Sequence, residues 1–313
     1  MKVPYRTGLH KVAPATYAYL QPNGSWGWSN AGLVVDGDEA LLVDTLFTVA
    51  LTRQMLDAVG QALPAAKIRT LVNTHGDGDH WWGNQLLPEA RIISSAASAE
   101  EMRHSGPEPM LQALAAGASD PGMRGLTDLF APFDFTDVTP TYPGETFDGE
   151  LEVKVGTRAV RLIEVGPAHT EGDVLVHVPG ERVLFTGDIL FIGGHPVVHS
   201  GPVSRWIRAC DLILGLDVDT IVPGHGPVAG KPEVTRFREY LHRVLDHAVA
   251  AHQRGRTALE AAREFDHRGF EDLDDPGRLV LNVGAVYREL NGDGTPAELE
   301  LMPQMLDVTT EAR

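Results

Sequence analysis

A short polar stretch, NTHGDGDHWWGN at residues 73–84, places several side chains that can bind a metal ion within six positions. Those side chains are His75, Asp77, Asp79 and His80. Glycines separate them, and glycine lets a chain turn tightly enough for neighbouring side chains to converge. On its own, such a run is also typical of a solvated surface turn. The choice between the two interpretations depends on the rest of the chain.

Three further stretches carry metal-binding side chains directly after a strand-like apolar run. They are GPAHTEGD with His169, FTGDIL with Asp188, and VPGHGP with His225. Imidazole and carboxylate suit zinc, manganese or iron, and the single cysteine, Cys210, excludes a thiolate cluster. Four loops with the same chemistry and the same place after a strand favour one shared centre. Seven candidate ligands are too many for one tetrahedral zinc, so the sequence predicts a site for two metal ions.

Strand-like and helix-like patterns alternate on both sides of these motifs. TYAYL, AGLVVDG and EALLVDT predict a β-meander, and FTVALTRQMLDAVGQAL predicts a helix that leads to the strand IRTLVNT. This order predicts a βαβ unit with the His75 loop at the carboxyl end of a strand, where α/β proteins bind ligands. Similar strands and one helix, VSRWIRACDLILGL, return in the second half. We therefore expect an α/β protein of two related halves with helices outside.

The chain divides into three parts by its patterns. Residues 96–150 resemble an insertion or lid rather than a domain, and they contain two short helical patterns. After Lys231 the apolar spacing is helical, and Thr257 is predicted to cap one of these helices. We expect a main domain over residues 1–230 and a C-terminal helical cap over residues 231–313.

Composition excludes several classes of partner. The 313 residues are 43% hydrophobic, and 26 Lys and Arg against 43 Asp and Glu give a formal charge of -17. Such a charge repels nucleic acid and anionic membranes. The first residues lack a secretory signal pattern, and no apolar run approaches the roughly 18 residues of a membrane span. We expect a cytoplasmic protein that acts on a small molecule, and association into a homo-oligomer stays open.

The motifs THGDGDH, AHTEGD, FTGD and PGHG together resemble the metallo-β-lactamase superfamily, over roughly residues 12–230. The resemblance implies an αββα sandwich with two metals at one sheet edge. It implies the following ligands: His75, Asp77 and His169 for the first metal, Asp79, His80 and His225 for the second, and Asp188 as the bridge. Because His80 directly follows Asp79, the second site is similar to that of the glyoxalase II branch.

Asp77 departs from the family pattern, which has a second histidine at this position. With a carboxylate there, two divalent ions and three carboxylates retain one positive charge instead of two. Bound water becomes harder to ionise, and the metal preference shifts from zinc towards manganese or iron. The alternative is that Asp77 binds zinc without consequence. Flavodiiron proteins and some diiron oxygenases of this superfamily carry Glu at the position, which keeps a redox enzyme open.

The resemblance implies a dinuclear hydrolase in which a metal-bridging hydroxide attacks the substrate and the catalytic residue Asp79 orients it. Cleavage of an ester, thioester, lactone or amide bond fits equally well. The expected cofactors are two divalent metal ions, zinc first, with manganese or iron as alternatives. A diiron or dimanganese redox enzyme and a non-catalytic binding protein on the same fold are the other hypotheses.

Four aromatic side chains are candidates for substrate contacts. Trp26 and Trp28 lie in the turn-rich stretch QPNGSWGWSN, which favours either a flap over an apolar group or tryptophans packed under their own hairpin. His195 and His199 follow Asp188 closely and are expected near the metals, to bind substrate or donate a proton, with a structural role as the alternative. No basic cluster resembles a phosphate or coenzyme A clamp, so the expected substrate is bulky and weakly charged.

Overall fold

Two β-sheets packed face to face form the centre of the protein in a computed structural model, which describes residues 3–117, 124–291 and 298–311. One sheet takes its strands from the N-terminal half of the chain and the other from the C-terminal half. Helices pack on the outer face of each sheet. The predicted αββα sandwich of the α/β class is confirmed.

The first sheet has seven strands that follow one another across the sheet in chain order. They are β1 (Gly8–Ala13), β2 (Thr16–Leu20), β3 (Ala31–Asp36), β4 (Glu39–Val43), β5 (Lys67–Val72), β6 (Arg91–Ser95) and β7 (Glu145–Phe147). Strands β1 to β4 pair antiparallel, and β4 to β7 pair parallel. A parallel pair requires a crossover connection, and α1 (Val49–Ala62) supplies it between β4 and β5. The predicted meander and βαβ unit are confirmed.

The second sheet has five strands, in the order β12, β11, β10, β9, β8. Their bounds are β8 (Glu150–Val155), β9 (Arg158–Glu164), β10 (Val174–Val178), β11 (Val183–Phe185) and β12 (Thr220–Val222). Only the pair β11 and β12 is parallel, and α6 (Val203–Gly215) is its crossover. This half therefore repeats the strand, helix, strand order of β4, α1 and β5.

Apolar side chains from both sheets fill the space between them. Val34 and Leu41 of the first sheet meet Val176 and Phe185 of the second, and all four are buried. A Cβ at Gly32 of β3 would clash with the ring of Phe185, so the close approach of the sheets requires glycine there. Burial of this apolar surface holds the two sheets, and hence their edges, in a fixed relation.

The C-terminal helices pack against α6. They are α7 (Lys231–Gln253), α8 (Ala258–Arg263), α9 (Arg278–Asn291) and α10 (Glu298–Glu311). The predicted helix N-cap at Thr257 is confirmed, because its side chain accepts a hydrogen bond from the Glu260 amide at the start of α8. These helices share one apolar core with α6 and the second sheet, so a division at residue 230 stays a prediction. In the described ranges, none of the helices has the length and apolar character that crossing a bilayer requires.

The predicted insertion at 96–150 contains three helices and the edge strand β7. The helices are α3 (Ala96–Met102), α4 (Pro107–Gly117) and α5 (Arg124–Phe130). Residues 118–123 of the insertion lie outside the described residues. Met110 of α4 and Phe130 of α5 pack with Phe47 and Trp82, so this segment covers the sheet edge at which the strand-end loops meet.

Candidate metal centre

Four loops meet at one edge of the two sheets, and each follows the carboxyl end of a strand. The loop after β5 carries His75 and Asp77 and runs into the short helix α2 (Gly78–Trp81), which holds Asp79 and His80. The other loops contribute His169 after β9, Asp188 after β11 and His225 after β12. Their ligand atoms form three overlapping groups, each within 4.8 Å: His75, Asp77 and His169; His75, His80 and Asp188; Asp79, His80 and His225. The structure thus brings all seven residues together, and we call them the metal-ligand cluster.

Asp188 lies at the middle of the metal-ligand cluster. Its carboxylate oxygens are 3.1 Å from Nε2 of His80, 3.2 Å from Nε2 of His225 and 3.4 Å from Nε2 of His169. Nε2 of His75 is 3.9 Å away. Four imidazoles therefore direct Nε2 at the Asp188 carboxylate.

The other two carboxylates lie on opposite sides of this centre. Oδ2 of Asp77 is 3.0 Å from Nε2 of His169 and 3.7 Å from Nε2 of His75. Oδ2 of Asp79 is 3.3 Å from Nε2 of His225. Asp77 and Asp79 therefore belong to different groups, as the resemblance implies, and Asp77 lies inside the cluster despite its departure from the family pattern.

Several buried ligand atoms have no hydrogen-bond partner among the described residues. They are Nε2 of His75, Nε2 of His80 and Oδ1 of Asp188; the last two lie 3.1 Å apart but do not meet the angular geometry of a hydrogen bond. A buried polar atom without a partner destabilises the fold, so these atoms need something to satisfy them. Imidazole nitrogens and carboxylate oxygens are ligands of divalent cations. The residues fit a pair of divalent metal ions, and the individual ligand assignments stay predictions.

Opposite charges inside the cluster shift the pKa of its members. Burial alone would lower the pKa of His80, but the carboxylates of Asp188 and Asp79 outweigh it and the pKa lies well above its ordinary value. Burial would raise the pKa of Asp188, but the imidazoles of His225 and His80 hold it well below its ordinary value. The pKa of His225 rises to about 9 because Asp188 and Asp79 outweigh its burial. The cluster therefore stabilises positive charge, which protons or metal cations supply.

A second set of contacts orients the imidazole rings. Nδ1 of His80 is 2.9 Å from Oδ2 of Asp44, and Nδ1 of His169 is 2.7 Å from the carbonyl oxygen of Val197. The same Asp44 accepts hydrogen bonds from the amide and hydroxyl of Thr74, at 2.7 and 2.8 Å. A ring fixed through Nδ1 presents Nε2 in one direction, and here that direction is the cluster.

Glycine is required on both sides of His225. A Cβ at Gly224 would clash with Oδ1 of Asp188. Gly226 has a φ of 98°, in the region that side chains with a Cβ rarely adopt. The sequence PGHG therefore allows His225 to approach Asp188 closely.

Comparison with known protein families identifies the superfamily of this chain. The sequence model of the Metallo-beta-lactamase superfamily matches residues 24–225. The chain belongs to this superfamily. Members of the metallo-β-lactamase superfamily typically bind divalent metals, in agreement with the His and Asp groups at the sheet edge. The resemblance predicted from the four motifs is confirmed.

The sequence identity between this chain and individual related proteins is low. The chain is 28% identical over 197 residues to the 2,4-dinitroanisole O-demethylase subunit alpha of Nocardioides sp. (strain JS1661), covering 62% of this chain and 51% of that protein. It is 21% identical over 322 residues to the alkyl/aryl-sulfatase BDS1 of Saccharomyces cerevisiae (strain ATCC 204508 / S288c), covering 88% and 48%. The solved sec-alkylsulfatase Pisa1 from Pseudomonas sp. has a TM-score of 0.70 at 18% identity, covering 92% and 50%, which shows a shared fold. The chain spans about half the length of these proteins.

A cavity of about 390 Å³ opens onto the metal-ligand cluster. Asp77, Asp79, Asp188, His169 and His225 line one side of it. The other side is apolar and includes residues from the loop before β3, from α4, α5 and from α10. We call these residues the apolar wall: Trp26, Phe47, Trp82, Met110, Ala113, Phe130, Phe191, Val197 and Met302. A largely hydrocarbon molecule therefore fits against the cluster.

Two of the four residues predicted to contact substrate line this cavity. They are Trp26 and His199, and Nε2 of His199 is 3.3 Å from Oδ2 of Asp77. Trp28 is not among the lining residues in the described part of the chain, because its ring packs 5.0 Å from that of Phe133. The packed alternative for the hairpin tryptophans thus applies to Trp28, and Trp26 faces the cavity.

His195 points away from the metal-ligand cluster. Its side chain is 1% exposed, Nδ1 is 2.7 Å from the hydroxyl of Tyr240 on α7, and the residue lines a separate cavity of about 730 Å³. Burial lowers the pKa of His195 to about 3, and the charges of His267 and Arg278 act in the same direction. The expectation that His195 lies at the metals is corrected, because the hydrogen bond to Tyr240 turns the ring into the C-terminal core.

Two residues of the centre have roles that the motifs do not reveal. Asp44, which contacts His80, directly follows strand β4 in the sequence LLVDT, and an Asp just after the strand beside β5 is a usable signal. Arg278 at the start of α9 is 2% exposed and lines the cavity. Nothing local in GRLVLN marks this arginine, because only the packing of the C-terminal helices brings it to the cavity.

Proposed function

We propose that this protein is a dinuclear metal-dependent hydrolase that cleaves an ester, thioester, lactone or amide bond in a bulky, weakly charged small molecule. The observation that carries the proposal is the convergence of seven His and Asp side chains, five of which line one side of a largely apolar cavity. Bound there, two divalent cations would supply Lewis acidity and make water a competent nucleophile near neutral pH. Zinc is the first candidate, with manganese and iron as alternatives.

The ligands divide between the two cations by their grouping. The proposed sets are His75, Asp77 and His169 for one cation, Asp79, His80 and His225 for the other, and Asp188 between them. Buried atoms without hydrogen-bond partners in His75, His80 and Asp188 support this division. Asp44 holds the orientation of His80 in the second set.

Asp79 is the proposed positioning group for the attacking water. Its side chain is 12% exposed and lines the cavity, so one face of the carboxylate is open to a small molecule. The hydroxyl of Ser29 donates to the backbone carbonyl of Asp79 at 2.6 Å and fixes the backbone. A fixed carboxylate aligns a nucleophile better than a mobile one.

The apolar wall and His199 are proposed to hold the substrate. Trp26, Phe47 and Phe130 present ring surface to the cavity and exclude water from it. The imidazole of His199 is 26% exposed and lines the same cavity beside Asp77, within reach of a group bound at the metals. In this proposal the apolar wall selects substrates by their shape, and the reaction takes place at the metal-ligand cluster.

A redox enzyme with two iron or manganese ions is the second candidate. The observation that favours it is Asp77, which puts a third carboxylate in the cluster, 3.0 Å from His169. Carboxylate oxygen suits harder cations than zinc. The names of the relatives, an O-demethylase and an alkyl/aryl-sulfatase, add aryl methyl ethers and sulfate esters to the substrate classes worth assaying.

The test combines metal analysis with turnover. Protein reconstituted with zinc, manganese or iron is assayed on an ester, a thioester, a lactone, a β-lactam, a sulfate ester and an aryl methyl ether. We expect close to two ions per chain and hydrolysis of at least one class. At most one ion per chain after supplementation contradicts the dinuclear proposal, and oxygen consumption by the iron form without hydrolysis favours the redox candidate.

Asp79→Asn tests the proposed positioning role, and metal content is measured on the same sample because Asp79 is also a proposed ligand. We expect turnover to fall roughly 1,000-fold, which corresponds to a barrier about 4 kcal/mol higher, because the amide no longer aligns the nucleophile. Asp57→Asn is the matched control, since Asp57 is an exposed carboxylate on α1. Wild-type rates in Asp79→Asn would show that the reaction occurs elsewhere.

A further inference from the structure

Arg278 is a buried cation beside the metal cavity. It is the first residue of α9, outside the residues 24–225 that match the superfamily, and its side chain is 2% exposed. Among the described residues that line the cavity, it is the only Lys or Arg. A guanidinium keeps its charge when buried, so a positive charge adjoins the apolar wall.

Two aromatic rings of the apolar wall enclose the guanidinium. Cζ of Arg278 is 4.6 Å from the ring centroid of Trp26 and 5.7 Å from that of Phe191. The ring of His225 stacks parallel to Phe191, with centroids 5.0 Å apart. Phe191 therefore contacts both the metal-ligand cluster and Arg278, and a molecule bound at His225 lies near the guanidinium.

The polar contacts of Arg278 leave donors unused. Nη1 donates to the carbonyl oxygen of His195 at 2.9 Å, and Nη2 is 3.3 Å from Oδ2 of Asp275. Nε has no hydrogen-bond partner in the described part of the chain. The same Oδ2 of Asp275 also accepts from the hydroxyl of Ser25 at 2.8 Å. Because buried donors are normally satisfied, a guanidinium with five N–H groups has capacity here for a further acceptor.

The charge of Arg278 is only partly balanced. Burial lowers its pKa, and the carboxylates of Asp275, Asp188 and Asp79 oppose that shift. Divalent cations at the cluster would offset Asp188 and Asp79, so that Asp275 remains as the carboxylate paired with Arg278. The cavity would then be flanked by metal cations at the cluster and by the guanidinium of Arg278, whose one remaining carboxylate, Asp275, also accepts from Ser25.

We propose that Arg278 selects substrates that carry a singly charged oxyanion next to an apolar alkyl or aryl group. The inference rests on the proposed hydrolase function and adds the substrate class to it. Sulfonate, sulfate ester, carboxylate and phosphate monoanion groups each present two oxygen acceptors that a guanidinium can bind at once. The apolar wall holds the hydrocarbon part, and Arg278 binds the anion without exchanging a proton with it.

A matched pair of non-hydrolysable probes tests this inference. Hexanesulfonate carries the oxyanion, and hexyl methyl sulfone has the same chain and sulfonyl oxygens without the charge. Calorimetric titration measures both on zinc-reconstituted and on metal-stripped protein. We expect the wild-type protein to prefer the sulfonate and Arg278→Met to reduce that preference roughly 10- to 100-fold, the scale of hydrogen bonds to a charged group. Arg278→Lys keeps the charge and is expected to retain part of the preference.

Two further variants control the measurement. Arg243→Met is the matched control, because Cζ of Arg243 lies 4.7 Å from the ring of Phe270 but the residue does not line the described cavity, so the preference should not change. Asp275→Asn removes the carboxylate that competes for Arg278, and asparagine tolerates the φ of 59° at this position. We expect the sulfonate to bind Asp275→Asn about 3- to 10-fold more tightly and the sulfone to bind it unchanged.

The outcomes separate this inference from the proposed function. Equal binding of the two probes to the wild-type protein, or no binding of either, overturns the role of Arg278. An unchanged preference in Arg278→Met also overturns it and assigns the anion to the metals. If Arg278→Met does not fold, unchanged sulfonate affinity in Asp275→Asn overturns it instead. None of these measurements needs turnover, so an absence of hydrolysis contradicts the proposed function alone.

Discussion

The metal-ligand cluster and the apolar wall face each other across one cavity but are assembled differently. The ligands come from loops at the ends of strands, and four of the seven lie within six positions of the sequence. The wall collects residues from distant segments, such as Trp26 before β3, Ala113 of α4 and Met302 of α10. Hydrogen-bonded strands fix the positions of their ends, whereas the wall depends on how helices pack on those ends. In the proposed function, chemistry and selectivity therefore rest on different parts of the fold.

This difference predicts different effects for substitutions in the metal-ligand cluster and in the apolar wall. Each side chain of the cluster is surrounded by opposite charges, such as Asp188 among four imidazoles, so its loss leaves uncompensated buried groups. A side chain of the wall meets mostly apolar neighbours, and its replacement changes the shape of the cavity. We expect cluster variants to lose metal and turnover, and wall variants to change which molecules enter.

The largest effect is expected from Asp188→Asn. The amide keeps the size of the side chain but removes the charge that His80, His169 and His225 surround, so the two proposed cations would lose the ligand that we propose they share. Metal content and turnover should fall together, turnover by roughly 1,000-fold or more. Elemental analysis and the assay on the best substrate measure the two losses, and circular dichroism should show the sheets intact. A fully loaded and active variant would contradict the central position of Asp188.

A smaller effect on the cluster is expected from Asp44→Asn. Asp44 contacts His80 but is not one of the seven residues of the metal-ligand cluster, and asparagine tolerates its φ of 63°. Weaker orientation of His80 should reduce metal affinity roughly 10- to 100-fold, while activity returns at saturating metal. Competition with a chelator measures the affinity. Activity that stays lost at saturating metal would instead place Asp44 in the reaction itself.

Behind the apolar wall, His195 makes stability depend on pH. Its folded-state pKa of about 3 lies below the unfolded value of about 6.5, so the unfolded chain binds more protons at mildly acidic pH. The contribution of neutral His195 to the free energy of unfolding is complete above about pH 6.5 and is lost as the pH falls towards 3. Between pH 7 and pH 5 the free energy of unfolding should fall by about 2 kcal/mol. Urea unfolding at both pH values should show a smaller loss in His195→Gln. His242→Gln, at an exposed position of α7, is the control, and an equal loss in all three proteins would refute the assignment.

The smallest effect is expected from a change in the wall itself. Ala113 of α4 lines the cavity, and Ala113→Phe fills part of it without touching a ligand. KM for a bulky substrate should rise about 10-fold, while that for a short-chain analogue and the metal content stay unchanged. Ala115→Phe, at an exposed position of the same helix, is the control. Equal losses for bulky and short substrates would show that the wall does not select by size.

The motifs predict the cluster better than the wall for a physical reason. His75, Asp77, Asp79 and His80 are neighbours in sequence, and a loop after a strand is bound to lie at a sheet edge. The position of Asp44 directly after a strand is visible in the sequence, but its contact with His80 depends on the pairing of β4 with β5. The motifs supply candidates, and the sheet supplies their distances.

The sequence by itself determined seven residues able to bind metal, because apolar patterns place their polar loops at strand ends, and the resemblance of four motifs indicated the superfamily and its αββα sandwich. It did not determine that His195 turns into the core while His199 reaches Asp77. It also gave no sign that Arg278 joins Trp26 beside the cavity. Those choices belong to the tertiary structure, because they are contacts between segments far apart in sequence, and only close packing of the helices on the sheets decides which side chains meet.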